Sequence, residues 1–306
     1  MFDASKEKKN KITDSVFKYF FLAMAILSSS FIVILVLFIF MKGISPFLPG
    51  YEFGQVNIVD FLFGTTYRQD QGVYGVGFIV INTLVSAFAS LLLSFPISVL
   101  CALFIVKIAS KKLSAIMKSV VELLASVPSI VYGVFASGVI VIFVKWLASL
   151  FNITTAGGSS LLAVIILLAI VIFPTITSMA ITAIQAVDKD LENASLALGA
   201  TKTQTNFKVV LTSAKSGIFA GAILGIGRAF GEATAVSMVA GNKLFGPTFD
   251  LFDITRTLTS TMLAGLKETS GLDYDIRFSV GIVLLFVIFF SNWLLNMLKE
   301  RIGKNS

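Results

Sequence analysis

Six long apolar stretches, divided by shorter polar ones, set the pattern of this chain: residues 19–41, 77–106, 120–150, 161–187, 217–240 and 278–298. Each is long enough for a helix to cross a hydrocarbon core of about 30 Å. The first run is longer than the apolar core of a signal peptide, and no small-residue cleavage site closes it, so it reads as a retained span. Pro96 interrupts the second run and Pro174 the fourth, and both read as bends. The third run contains SVPSIVYGVFASG, with Glu122 before it and Pro128 and Gly133 within it. It reads as an irregular membrane segment, bent at Pro128, of the kind that survives at membrane depth only inside protein or against a polar cavity. The polar stretches are a loop at 42–75, a short basic connection with Lys107, Lys111, Lys112 and Lys118, a turn at 151–160, a basic loop at 188–216 and a long loop at 242–277. The last holds TRTLTSTMLAGLKE, a candidate amphipathic or re-entrant helix.

Composition agrees with that pattern. Of 306 residues, 56% are hydrophobic and 13% charged, and the mean hydropathy is +0.92, which is a polytopic membrane protein rather than a soluble domain. There is one cysteine, Cys101, and no histidine. Zinc clusters, disulfides and histidine acid–base catalysis are thereby excluded, and Cys101 reads as a small packing residue. Nor is there a Walker loop, and Gly225-Ile-Gly227 followed by Gly231 does not reproduce a dinucleotide fingerprint. The pattern of an enzyme is missing. The net charge of +7 reads as lysines held at one membrane face, not as a nucleic-acid footprint. With the N-terminus inside, the inside segments hold 16 of the 24 Lys and Arg residues. This bias predicts both termini in the cytoplasm. The expected organisation is a cytoplasmic segment at 1–18, a six-helix transmembrane domain at 19–298 with a cytoplasmic loop at 188–216, and a cytoplasmic tail at 299–306.

The loop at 188–216 should itself fold. Leu191, Leu196 and Leu198 suggest a short helix ended by Gly199 in a left-handed cap. Thr201 to Gln204 has the form of a capping box opening a second short helix, with Phe207, Val210 and Leu211 on its apolar face. Such a helix pair either lies on lipid headgroups, drawn by Lys202, Lys208 and Lys215, or offers a handle to a soluble partner. The run that follows, GIFAGAILGIGRAFGEATAVSMVAGN, repeats Gly217, Gly221 and Gly225 at every fourth residue, a spacing that lets another helix come close. Arg228 and Glu232 continue the same stripe. An intramembrane charge costs at least about 2.5–3.5 kcal/mol, and a pair at i and i+4 reduces that cost. Two readings stay open: an ion pair that locks two helices, or a site that meets an anion, for which a planar guanidinium is well suited.

Resemblance adds to this. Aligned on Gly199, the basic loop resembles the cytoplasmic EAA loop of ABC importer permeases, with Val209 and Leu211 at its aliphatic positions. Asn193-Ala194-Ser195 stands where that motif has Glu-Ala-Ala, with Glu192 one place earlier, and Thr212 replaces its proline. GIGRAFGEATAVSMVAGN is similar to the GLGRALGE-T-AV…GN stretch of permeases in high-affinity phosphate ABC importers. SVPSIVYGVFASG is similar to a segment shared by both permease subunits of that system. FLFGTTYRQDQGVYG, in the 42–75 loop, resembles the outside loop of the PstC-type subunit. The chain is identified on these matches as a member of the PstC family. The resemblance implies an all-α polytopic membrane protein with six transmembrane helices and the type I (MetI-like) ABC importer permease fold. It implies half of the translocation pathway of an ATP-driven importer of inorganic phosphate in a bacterial cell membrane. The alternatives are a permease for sulfate or molybdate, or the PstA-type subunit. The implied partners are a PstA-like permease, two copies of a cytoplasmic ATPase, an extracytoplasmic phosphate-binding protein and membrane lipid, with no nucleic acid. No cofactor is expected in this chain, ATP being bound by the ATPase. Arg228 and Glu232 fall on the family's charged pair in the pathway. Glu192, Asn193, Ala194, Gly199, Thr201, Lys202, Phe207 and Leu211 form the expected ATPase coupling loop.

Overall fold

A computed structural model describes residues 3–304, and the side chains of residues 14–301. The side chains of Lys6, Lys8, Lys9, Lys11 and Lys304, which the charge argument used, lie outside the described residues. Among the described residues, six helices are long and apolar enough to cross a membrane: Asp14–Phe47, Gly77–Ile108, Ser129–Leu150, Leu161–Gln185, Lys202–Gly231 and Leu272–Arg301. The elements in chain order are α1 (Asp3–Ile44), α2 (Ile58–Phe63), a hairpin of β1 (Tyr67–Arg68) and β2 (Val73–Tyr74), α3 (Gly77–Leu103), α4 (Lys111–Ser126), α5 (Ser129–Phe135) and α6 (Val141–Leu150). There follow α7 (Leu161–Gln185), α8 (Lys189–Ala197), α9 (Lys202–Gln204), α10 (Leu211–Gly231), α11 (Thr234–Ser237), α12 (Leu258–Leu263) and α13 (Leu272–Lys304). Short π-helical turns at Phe104–Ile108, Ala136–Ile140 and Thr205–Val210 join α3 to its end, α5 to α6, and α9 to α10.

The centre of the bundle is α7, with 15 of its 25 residues buried. Two helices reach it through small side chains. On α3, residues 82, 86, 90, 94 and 98 are Asn, Ser, Ser, Ser and Ser, and all five are at most 2% exposed. The serine hydroxyls find acceptors inside the protein: Ser86 donates to the Thr83 carbonyl, Ser90 to that of Ala87, and Ser98 across to Phe173 of α7 at 3.3 Å. On α10, the glycine stripe also lies against α7. A Cβ at Gly217 would stand 2.6 Å from Ala183 Cβ, one at Gly221 2.9 Å from Met179 Cβ, and one at Gly225 2.7 Å from Ile176 Cγ1. The spacing that predicted a close neighbour therefore meets α7 along three turns.

By contrast α1 is attached at one end. Its side chains from Val16 to Leu37 are almost all exposed. Near its C-terminus Phe38 and Phe40 pack on Phe278 and Phe286 of α13, and Lys42 pairs with the buried Asp275 at 3.3 Å. At that end of the bundle, the loops 45–76 and 241–271 form a cap. Asn82 and Thr83, at the top of α3, accept from the backbones of Thr248 and Leu258. Arg277 donates to the carbonyls of Thr261, Met262 and Ala264 and so closes the C-terminus of α12. Arg256 lies 4.6 Å over the Tyr67 ring. Burial pushes the Tyr67 hydroxyl up to about 12, against the pull of Arg256 and Arg277. The region read as a candidate helix in TRTLTSTMLAGLKE is the capped α12, with Thr257 and Ser260 as a reciprocal cap.

Two expectations change. The basic connection 107–118 is not a linker, and the third span does not begin at 120. Residues Lys111–Ser126 form α4, an amphipathic helix opened by the Ser110 hydroxyl. It stops at Val127, which is extended ahead of Pro128 (φ −64°, ψ 128°), as a residue before proline prefers. Pro128 thus opens the span rather than bending it. The second change concerns the basic loop. Its second helix is no separate unit, because no glycine or proline lies between Thr201 and Ser216 to stop it, and it continues as the Lys202–Gly231 span. At its far end the helix stops at Gly231 instead of running to residue 240.

Gly225→Leu should force an overpacked α7–α10 contact costing about 1–3 kcal/mol. It should lower by several degrees the temperature at which detergent-purified protein loses monodispersity. Gly227→Ala, where a Cβ meets nothing within 4 Å, should leave that temperature unchanged.

Candidate functional site

The last turn of α10 carries Arg228 three residues beyond Gly225, so the glycine stripe also sets its depth and bearing on α7. Its Nη1 donates to Thr175 Oγ1 of α7 at 3.0 Å. Thr175 follows Pro174 directly. The expected pairing of Arg228 with Glu232 does not occur: no ion pair joins them among the described residues. The i, i+4 relation needs a continuous helix, and Glu232 stands just past its end with extended backbone (φ −75°, ψ 107°). Its carboxylate turns the other way. Glu232 Oε1 accepts from the Ala235 amide at 3.1 Å, which caps α11, and the Glu232 carbonyl accepts from Thr259 Oγ1 of α12 at 2.9 Å. Glu232 is 8% exposed.

The consequence is chemical. Arg228 is half-buried and holds a neutral hydroxyl, and among the described residues no carboxylate lies within ion-pair distance of it. Four of the five guanidinium donors remain for another acceptor. Beside it, Cβ atoms at Gly227 and Gly231 would meet nothing within 4 Å, so the helix presents a bare, open strip next to an uncompensated cation. Two sequence motifs also come together here. A Cβ at Gly133, in VYG of α5, would stand 3.0 Å from Ala235 Cα and 2.5 Å from Met238 Sδ. Only glycine lets α5 lie this close to α11. Tyr132 is tied back to α4 by donating to the Leu124 carbonyl at 2.7 Å.

At the other end of α10 lies the basic loop. Both sequence-derived caps are present: Gly199 has φ +85°, and Thr201 and Gln204 exchange bonds at 3.2 and 2.9 Å. Asp188 opens α8 by accepting from Asp190 N. On α8, Asn193 and Ala194 are exposed, as is Lys202 of α9. Leu191, Leu196 and Phe207 are about half exposed, and Leu198 is 90% exposed. Leu211 points inward to pack on the buried cluster around Ala180 and Ile184. Glu192 is half-buried and forms an ion pair with Lys107, at the end of the α3 span. Ser195, on the same face of α8, bonds Thr205 at 2.9 Å. A cleft of about 520 Å³ runs alongside, bordered by Lys107, Glu192, Leu196, Lys202 and Phe207. Sequence reasoning missed Thr175, Lys107 and the buried Arg256, Arg277 and Asp275. The first two touch partners 53 and 85 residues away, which no local spacing encodes. The last three stood in loops or at a helix start, where charge is unremarked.

Comparison with known proteins agrees with this architecture. Residues 94–304 match the family described as "Binding-protein-dependent transport system inner membrane component". The chain is 33% identical over 273 residues to the probable ABC transporter permease protein YqgH of Bacillus subtilis, covering 88% of this chain and 85% of that one. It is 30% identical to the phosphate transport system permease protein PstC 2 of Mycobacterium tuberculosis, covering 87% and 86%. It is also 30% identical to PstC of Pasteurella multocida, covering 74% and 75%. Among solved structures, a bacterial ABC transporter for the import of alginate superposes with a TM-score of 0.62 at 19% identity, over 92% of this chain and 96% of that chain. The MetNI methionine ABC transporter superposes with a TM-score of 0.53 at 20% identity, over 74% and 94%. The fold is thus that of MetI-type importer permeases, and the six spans make this a multi-pass membrane protein. On sequence and on fold alike, the chain belongs to the binding-protein-dependent ABC transport permeases, in the PstC family.

Proposed function

We propose that this chain is the transmembrane permease subunit of an ATP-driven importer of inorganic phosphate and forms half of its pathway. The observation that carries the reading is Arg228: a membrane-embedded guanidinium with a hydroxyl partner, no carboxylate partner and an open glycine strip beside it. A tetrahedral oxyanion supplies paired acceptors for such a planar donor set. The relatives named as phosphate transport permeases support phosphate among the oxyanions. Glu232 is read here as a shaping residue that caps α11, while Arg228 alone meets the anion. No cofactor is assigned to this chain.

The remaining half of the path comes from a PstA-like permease. The anion is delivered by an extracytoplasmic binding protein at the cap built from α2, the hairpin and α12. Two copies of a cytoplasmic ATPase sit at the opposite end, where α8 presents Leu191, Ala194 and Leu198 to solvent. In this orientation both termini, α4 and α8 are cytoplasmic, as the lysine bias requires. ATPase closure pushes α8, and the Ser195–Thr205 bond passes the displacement into the start of the α10 span. That same helix carries Arg228, so the push at one end reorients the anion site at the other.

In the complete importer, Arg228→Gln should abolish uptake of labelled phosphate at low external concentration, at equal membrane abundance. Uptake by the natural complex should be competed by arsenate and not by sulfate, and competition by sulfate would point to another oxyanion. Thr175→Val should raise the KM for phosphate about tenfold, the scale of a lost hydrogen bond to a charged group, while Thr175→Ser keeps it near native. Reversing charge at both Lys202 and Lys208 to Glu should reduce transport without reducing insertion, and normal transport by that variant would exclude this loop as the coupling element.

A further inference from the structure

The inner face of α8 is tied at two points. Ser195 bonds Thr205 in the turn leading into α10, and Glu192 pairs with Lys107 in the π-helical turn that ends the α3 span. The second tie joins residues 85 positions apart and bridges two elements with no direct chain connection. Its side chains are 17% and 20% exposed, whereas the hairpin pair Arg68–Asp70 is 38% and 62% exposed. Partial burial shields the former from solvent and salt, which make most surface pairs weak.

The sequence departure at the coupling motif now has a geometric meaning. The motif's glutamate position is filled by Asn193, which is exposed, and the acid sits one residue earlier. One residue turns a helix by about 100°. The carboxylate therefore faces Lys107 inside the protein instead of solvent, and Ser195, three residues on, shares that inner face. Lys107 belongs to the same helical span as the serine stripe that packs α3 on α7.

We propose that the Lys107–Glu192 pair is a strap that makes α3 move with α8, so that a push on the coupling helix enters the bundle through two spans, α3 and α10. Lys107 and Glu192 are positioning residues in this scheme. The strap rests on the reading that α8 receives the ATPase. Displacement arriving only through Thr205 would reach α3 only by way of its packing on α10, where Phe88 meets Phe230 and Phe95 meets Phe219. With the strap intact, α8 also draws α3 directly at its Lys107 end, and α3 and α10 move together against α7.

The test uses the complete importer in proteoliposomes, with phosphate taken up per ATP hydrolysed as the readout. Lys107→Glu and Glu192→Lys should each lower that ratio at least fivefold, and the double charge swap should return it to within twofold of native. Native ratios in both single variants, or no recovery in the swap, would overturn the strap. A second measurement reads the strap without transport: hydrogen exchange of the amides in Lys189–Ala197 in the detergent-purified complex. Exchange should quicken in each single variant and return to native in the swap, and unchanged exchange in the singles would also overturn it. If the native complex takes up no phosphate, the function proposed above fails, and the exchange measurement still decides the strap.

Discussion

Close approach to α7 is the constraint on which the rest of this structure depends. In a bilayer, apolar surface gains nothing by leaving lipid for another helix, so association relies on tight contact and internal hydrogen bonds. This chain meets that demand with absence of bulk. Serines at every fourth position of α3 and glycines at every fourth position of α10 bring both helices onto α7. The hydroxyls of Ser86, Ser90 and Ser98 find acceptors on their own helix or on α7, which removes the cost of burying them unmet. The depth of Arg228 follows from the same packing. Three glycines set α10 against α7, and the next position on that stripe reaches Thr175.

The buried charges divide by what they face. Arg277 spends its donors on carbonyls at the end of α12, and Arg256 lies on the Tyr67 ring. Asp275 is answered by Lys42 and by the Tyr51 hydroxyl at 2.7 Å. Burial and that carboxylate push the Tyr51 hydroxyl well above its ordinary range. All of these lock the cap. Arg228 differs, because its partner is a single neutral hydroxyl and the helix beside it is bare.

In the 188–216 region, most of the local design was legible from residues alone. The left-handed Gly199 and the Thr201–Gln204 box are short-range devices, readable wherever the right residues stand at the right spacing. What lay beyond reach was how far the second helix ran. Polar residues such as Thr212, Ser213 and Lys215 looked like a border, yet nothing in the stretch breaks a helix. The reverse error occurred at Glu232, where an apolar pattern continued while the helix did not. The pattern reports burial, and burial continues from α10 into α11 across the break.

The sequence by itself determined the six spans, the helix caps, the glycine stripe and the family, because these depend on local composition, short spacing and motif order. Tertiary structure alone decided which helix the glycines meet and what holds Arg228. It also decided where Glu192 turns. Thr175 and Arg228 are 53 residues apart, and Lys107 and Glu192 are 85. Such pairs are selected by how helices rotate about one another, and a one-residue shift along a helix turns a side chain by about 100°. The i, i+4 pairing of Arg228 with Glu232 was sound for a continuous helix. The fold ended that helix between them, and so left the arginine free and gave the glutamate a cap to make.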